Sequence, residues 1–164
     1  MINNLVLFEY QRGRNKEGPA KMLKNFKGFL QTDGYAAYDQ FGQREGIQML
    51  HCMAHARRYF KEAEDNDKAR SEYALLAFQA IYEQERELRD LPIEQRQKVR
   101  QEVMHPKLEH LHKWMIEQYP TVTPKSPIGK ALEYSMKRWK QLTLITTDVV
   151  ARLTTIRSRM KYGR

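Results

Sequence analysis

The chain has 164 residues, 41% hydrophobic and 30% charged, which suits one domain or part of a larger protein and excludes wholesale disorder. The formal net charge is +9 and the pI about 9.7, a balance that suits a polyanionic partner, nucleic acid above all. A single cysteine, Cys52, excludes an internal disulfide framework, no apolar run reaches the length of a membrane span, and no signal-peptide pattern is visible, so a cytoplasmic protein with no membrane partner is expected.

In chain order, Leu5 to Tyr10 is apolar except for Glu9 and reads as a strand. A polar turn with Arg12, Arg14 and Lys16 follows. Pro19 can open a short helix whose inner face would be Met22, Leu23 and Phe26, ended by Gly28. Phe29 to Thr32 reads as a buried strand ending on Asp33, and Gly34 breaks it. Tyr35 to Phe41 suits a short helix or paired turns, and Ile47 to Leu50 a third strand. This order predicts an α/β sheet with crossover connections. From Ala54 onward the periodicity is helical. A helix is expected over Asp67 to Leu88, with Tyr73, Leu76, Ala77, Ala80 and Ile81 as its stripe. Pro92 opens a very polar helix to about Val103, and Pro106 another to Tyr119 carrying Leu108, Leu111, Met115 and Ile116. Ser126-Pro127 starts a fifth, with Ala131, Leu132, Met136, Trp139 and Leu142 inward. His105, His110 and His112 read as scattered on polar helix surface, without a role. Residues 149–164 carry five cations, Arg152, Arg157, Arg159, Lys161 and Arg164, and no acid, so the basic balance is concentrated there.

Two stretches can carry chemistry. Asp33 stands at the carboxyl end of a strand, where open α/β sheets keep their sites, although Asp-Gly is also an ordinary turn dipeptide. His51-Cys52-Met53-Ala54-His55-Ala56-Arg57-Arg58 sits at a strand-to-helix junction. His51, Cys52 and His55 could ligate zinc, but a closed site needs a fourth ligand and no second Cys/His pair is spaced to give it. A Cys/His nucleophilic pair would need an orienting third group. The plainer reading is a buried cysteine and a half-buried histidine at a helix start. Alternatively, Arg57 and Arg58, with Lys61 a turn further on, clamp phosphate, since guanidinium forks fit phosphate oxygens.

Several of these stretches together resemble a known family. They are Tyr10…Arg14; Leu23, then the run Phe26 to Tyr38 with Thr32-Asp33-Gly34-Tyr35 at its centre; Cys52-Met53-Ala54-His55-Ala56-Arg57-Arg58-Tyr59-Phe60; Ser126-Pro127-Ile128-Gly129-Lys130-Ala131-Leu132; and Tyr134…Trp139…Leu142-Thr143. In this order they resemble the transposases of the insertion sequence 66 family, over roughly Leu5 to Asp148. The resemblance implies an incomplete ribonuclease-H-like α/β sheet followed by a mainly helical region. It implies an Asp-Asp-Glu triad in which Asp33 is the second aspartate, catalytic and metal-binding. Mg2+ would be the cofactor, two ions activating the attacking oxygen and stabilising the leaving one. DNA would be the partner, with Arg14, His55, Arg57, Arg58 and Lys61 the candidate contacts, beside a homo-oligomer or accessory transposition proteins.

The expected organisation is a partial core over 1–53, a helical insertion and downstream helix over 54–148, and an atypical basic tail over 149–164. The family's first aspartate would lie upstream of Leu5, and no acid follows Asp148 to complete the triad, so the chain alone is expected not to cut DNA. Codons exist for Leu153 to Gly163 that, read one base out of phase, give Leu-Asp-Asn-Asn-Gln-Ile-Glu-Asn-Glu-Ile-Arg, close to the family's missing segment. A frameshift near Asp148 is therefore the expected origin of the tail. Two alternatives stand beside this reading: a non-catalytic DNA-binding protein, and a helical module that binds another protein.

Overall fold

The computed structural model describes residues 17–34 and 36–146. The strand expected at Leu5 to Tyr10, the cations Arg12, Arg14 and Lys16, Tyr35, Asp148 and the basic tail lie outside the described residues. The described chain is α/β, with a small parallel sheet and a larger helical part.

Helix α1, Glu17–Met22, carries Pro19 in its first turn, where the missing N–H costs nothing. Strand β1, Gly28–Thr32, pairs in parallel with β2, Ile47–His51, in the register Gly28↔Ile47 to Thr32↔His51. The 3-10 segment Ala36–Gln43 lies between them, as a parallel pair requires a crossover. Alternation sorts the strand residues to two faces. Leu30, Ile47 and Met49 join Leu23, Phe26 and Phe41 in a small cluster under α1 and the 3-10 segment. Phe29 and Leu50 face the other way, into the helical core.

That core is built by α2 (Met53–Glu62), α3 (Lys68–Glu87), α4 (Ile93–Val99), α5 (His105–Gln118), α6 (Pro127–Lys137) and α7 (Trp139–Thr143). Helix α2 packs on both α3 and α6, and α7 packs against β2, so the site described below sits where sheet meets helices. Asp67 caps α3 by accepting from the Arg70 amide at 3.1 Å, and Ser126 caps α6 by accepting from the Gly129 amide at 3.1 Å. Among the described residues no helix is long and apolar enough to cross a membrane.

Three expectations are corrected. The buried stripe of α3 is Ser71, Ala74, Phe78 and Ile81, while Tyr73 and Leu76 are 38% and 66% exposed. Small Ser71 and Ala74 face inward, and the larger residues one turn-phase away stay outside. Met22 and Ile116 are likewise exposed rather than inward. The polar helix after Pro92 does not stop at Val103. It continues through a π turn, Arg100–Met104, into α5, the wider turn carrying the helix past Pro106, which has no N–H to donate. Its Arg100 is fully buried and paired with Glu85 of α3. His105 and His110 are exposed as expected, the His110 Nε2 lying 3.0 Å from the Tyr73 hydroxyl, while His112 is half-buried and stacks on Trp139 at 4.7 Å.

Candidate functional site

Strand β1 stops pairing at Thr32, whose carbonyl accepts from the Cys52 amide at 2.9 Å. The next two residues project beyond the sheet. Asp33 is exposed, and Gly34 turns the chain with φ +83°, a region other L-residues rarely adopt. The Gly34 amide donates to the Thr32 hydroxyl at 3.3 Å, and that hydroxyl also lies 3.3 Å from His51 Nδ1 at the end of β2. The strand ends thus hold each other, and the turn that carries Asp33 starts from a fixed point.

The opposite wall comes from two helices. A pocket of about 310 Å³ is lined by Asp33, Gly34 and Ala36 from the turn, His55, Arg58 and Tyr59 from α2, and Tyr134 and Arg138 at the end of α6. The Tyr134 hydroxyl donates to the Asp33 carbonyl at 2.8 Å, and Arg138 Nη2 donates to the Gly34 carbonyl at 3.3 Å. The Arg138 guanidinium lies over the Tyr134 ring, 4.4 Å from its centroid, and Tyr59 stacks on the same ring, also at 4.4 Å.

The electrostatics follow from this layering. Burial lowers the pKa of His51, helped by Arg138 and opposed by Asp39 and Asp33. Burial likewise lowers that of His55, helped by Arg58 and opposed by Asp33. Both imidazoles are therefore held neutral near pH 7. The Nδ1 of His55 is buried without a hydrogen-bond partner among the described residues. Burial raises the Tyr134 hydroxyl to about 12, so it stays a donor.

Of the sequence candidates, Asp33, His55 and Arg58 meet in this pocket. Arg57 and Lys61 are exposed on α2 and do not line it; Lys61 pairs with Glu64 one turn on, and Arg58 lies 3.6 Å from Glu62. Arg14 lies outside the described residues. His51 and Cys52 are buried at the junction, and among the described residues no group of three or more His, Cys, Asp or Glu side chains could hold a metal ion. Tyr134 and Arg138 were missed. They lie a hundred residues downstream, and their spacing of four on one helix is the sole local sign that they act together.

Comparison with known proteins adds a family. The family described as "Transposase IS66 family" matches residues 2–155. Three uncharacterized proteins of Sinorhizobium fredii (strain NBRC 101917 / NGR234) are similar: y4hP is 28% identical over 152 residues, covering 82% of this chain and 28% of that protein. For y4jD the identity is 27% over 150 residues, covering 87% and 29%, and for y4qI it is 28% over 152 residues, covering 88% and 28%. The chain therefore spans under a third of the length of these curated relatives. No solved structure matches it. Because the family match runs over nearly the whole sequence, the chain belongs to the Transposase IS66 family.

Proposed function

We propose that the chain is part of the catalytic domain of a DDE-type DNA transposase, with β1 and β2 a portion of a ribonuclease-H-like sheet. Asp33 is the second acidic residue of its triad, and the pocket receives a DNA phosphate. The observation that carries this reading is the meeting of Asp33 with the guanidinium groups of Arg58 and Arg138 in one pocket, within a chain of this family. Arg58 and Arg138 neutralise the phosphate, as charge-assisted donors do. His55, neutral near pH 7, offers a ring nitrogen to the same space.

Enzymes of this type use divalent metal. A two-ion site requires several carboxylate oxygens. Asp33 supplies one carboxylate, and the other charged side chains lining the pocket are the cationic Arg58 and Arg138. The described residues do not fit a magnesium pair. The described residues are accordingly proposed to hold DNA without by themselves completing a cutting site.

The proposed organisation is a partial core over 1–53, an insertion and downstream helix over 54–148, and a tail over 149–164 read from a shifted frame. The nucleotide sequence across Asp148 tests the last point directly. The binding proposal is tested by titrating duplex DNA at several salt concentrations. Affinity should fall linearly in log–log form, and Arg58→Ala should weaken binding similarly across sequences. Magnesium-dependent nicking by the chain alone would contradict the statement that it does not cut.

A further inference from the structure

We infer that Tyr134 and Arg138 are positioning residues for Asp33, which they hold by clamping the two backbone carbonyls at the end of β1. The inference rests on the reading of Asp33 as a carboxylate of the transposase site. Its starting point is the ladder itself. Sheet pairing between β1 and β2 ends at Thr32↔His51, and one further bond runs from Cys52 to the Thr32 carbonyl. The carbonyls of Asp33 and Gly34 project past the end of this small sheet.

Helix α6 supplies what the sheet does not. The Tyr134 hydroxyl donates to the Asp33 carbonyl and Arg138 to the Gly34 carbonyl, 101 and 104 residues away in sequence. Both donors are held in turn. The Tyr134 ring contacts both the stacked Tyr59 of α2 and the Arg138 guanidinium, and α6 packs along α2. The fit is close: a Cβ on Gly34 would lie 2.7 Å from Arg138 Nε and 2.9 Å from the Tyr134 hydroxyl. An exposed carboxylate on an unsupported strand end would sample many directions. Fixing the two carbonyls that follow its Cα, with the Thr32 carbonyl before it already held by the Cys52 amide, removes the backbone part of that freedom, as preorganised sites require.

The Gly34 amide, bonded to the Thr32 hydroxyl, reports on the turn. Amide hydrogen exchange by NMR on the full chain is the test, with three-bond couplings to the Asp33 carboxyl carbon measured in parallel. Tyr134→Phe removes the hydroxyl while keeping the ring stack. It should speed Gly34 exchange roughly tenfold and move the Asp33 couplings toward rotamer-averaged values, while amides buried in α3 and α5 keep their protection. Arg138→Ala should do the same, and Arg138→Lys, which keeps one donor, should restore part of the protection. Unchanged Gly34 exchange and Asp33 couplings in Tyr134→Phe would overturn the inference. So would equal acceleration of all amides, which marks a merely structural role. Asp33→Asn separates the two readings. It should leave Gly34 protected because the clamp grips carbonyls, whereas the proposed function fails on its own if the chain shows no salt-dependent affinity for DNA.

Discussion

At the scale of single residues, Gly34 is the position where sequence and site constrain each other most tightly. Its φ of +83° disfavours any side chain, and the space a Cβ would take is filled by Arg138 and Tyr134. Gly34→Ala should therefore destabilise the protein by about 1–2 kcal/mol from backbone strain alone, measured by denaturant unfolding. Displacement of the clamp adds to that loss. The neighbouring histidines give a second prediction. His51, His55 and His112 all have pKa values lowered below 6.5, chiefly by burial. Their neutral forms are favoured in the fold, so the unfolded chain takes up protons first as pH falls. Stability from these groups is full above pH 6.5 and is lost as pH drops below it toward the folded values. Thermal midpoints measured across that window should fall, and His51→Gln should flatten the profile. Asp33, His55 and Arg58 were legible as candidates because they belong to short local patterns. The grip of Tyr134 and Arg138 was not legible, since it is made across a hundred residues and their spacing of four does not say what they grip.

Among the elements, those with chemical punctuation were readable and those defined by packing were not. Pro19, Gly34, Pro92 and the Ser126-Pro127 pair mark boundaries by their own backbone preferences, and the structure places helix or strand ends beside each of them. Helix α3 was misphased because apolar residues occur on two of its faces. Tyr73, Leu76, Ala77, Ala80 and Ile81 give as good a stripe as Ser71, Ala74, Phe78 and Ile81, the two share only Ile81, and the choice is made by what packs against the helix. Arg100 is the sharpest case. In a run as polar as Ile93 to Val103 an arginine reads as solvated, yet this one is completely buried. Its Nε donates to Glu85 at 3.0 Å, its Nη2 to the other oxygen of the same carboxylate, and its Nη1 to the Ile145 carbonyl at 3.4 Å. The pair ties the π turn to α3 and to the segment after α7. Removing its carboxylate by Glu85→Ala leaves a buried guanidinium facing no counter-charge from α3, and should cost about 3 kcal/mol, the low end for a buried pair because Glu85 is partly exposed. The double variant Glu85→Leu with Arg100→Met should recover much of that loss. A double variant no more stable than Glu85→Ala would show that the arginine is needed for packing rather than as a charge.

For the molecule as a whole, the question is whether its positive charge acts through the pocket or merely through the tail. Five of the cations in a chain of net charge +9 fall in residues 149–164, where no acid accompanies them. Many of the remaining cations are offset locally: Lys61 pairs with Glu64, Lys137 with Glu133, Arg70 with Asp67 and Arg100 with Glu85. A tail of this composition would attract DNA by counterion release whatever the fold beside it did, so affinity alone is a poor test. The slope of affinity against salt distinguishes the two. Each phosphate neutralised contributes about 0.9 to that slope on duplex DNA. Deleting 149–164 should lower the slope by several units if the tail binds. In that shortened chain, a phosphate seated between Arg58 and Arg138 predicts a residual slope that Arg58→Ala reduces by about one further unit. Arg57→Ala, on the same helix but outside the pocket, should reduce it less. If the shortened chain instead has no measurable affinity, or Arg58→Ala and Arg57→Ala act alike, then DNA is held by diffuse charge, and the pocket around Asp33 is not where the phosphate docks.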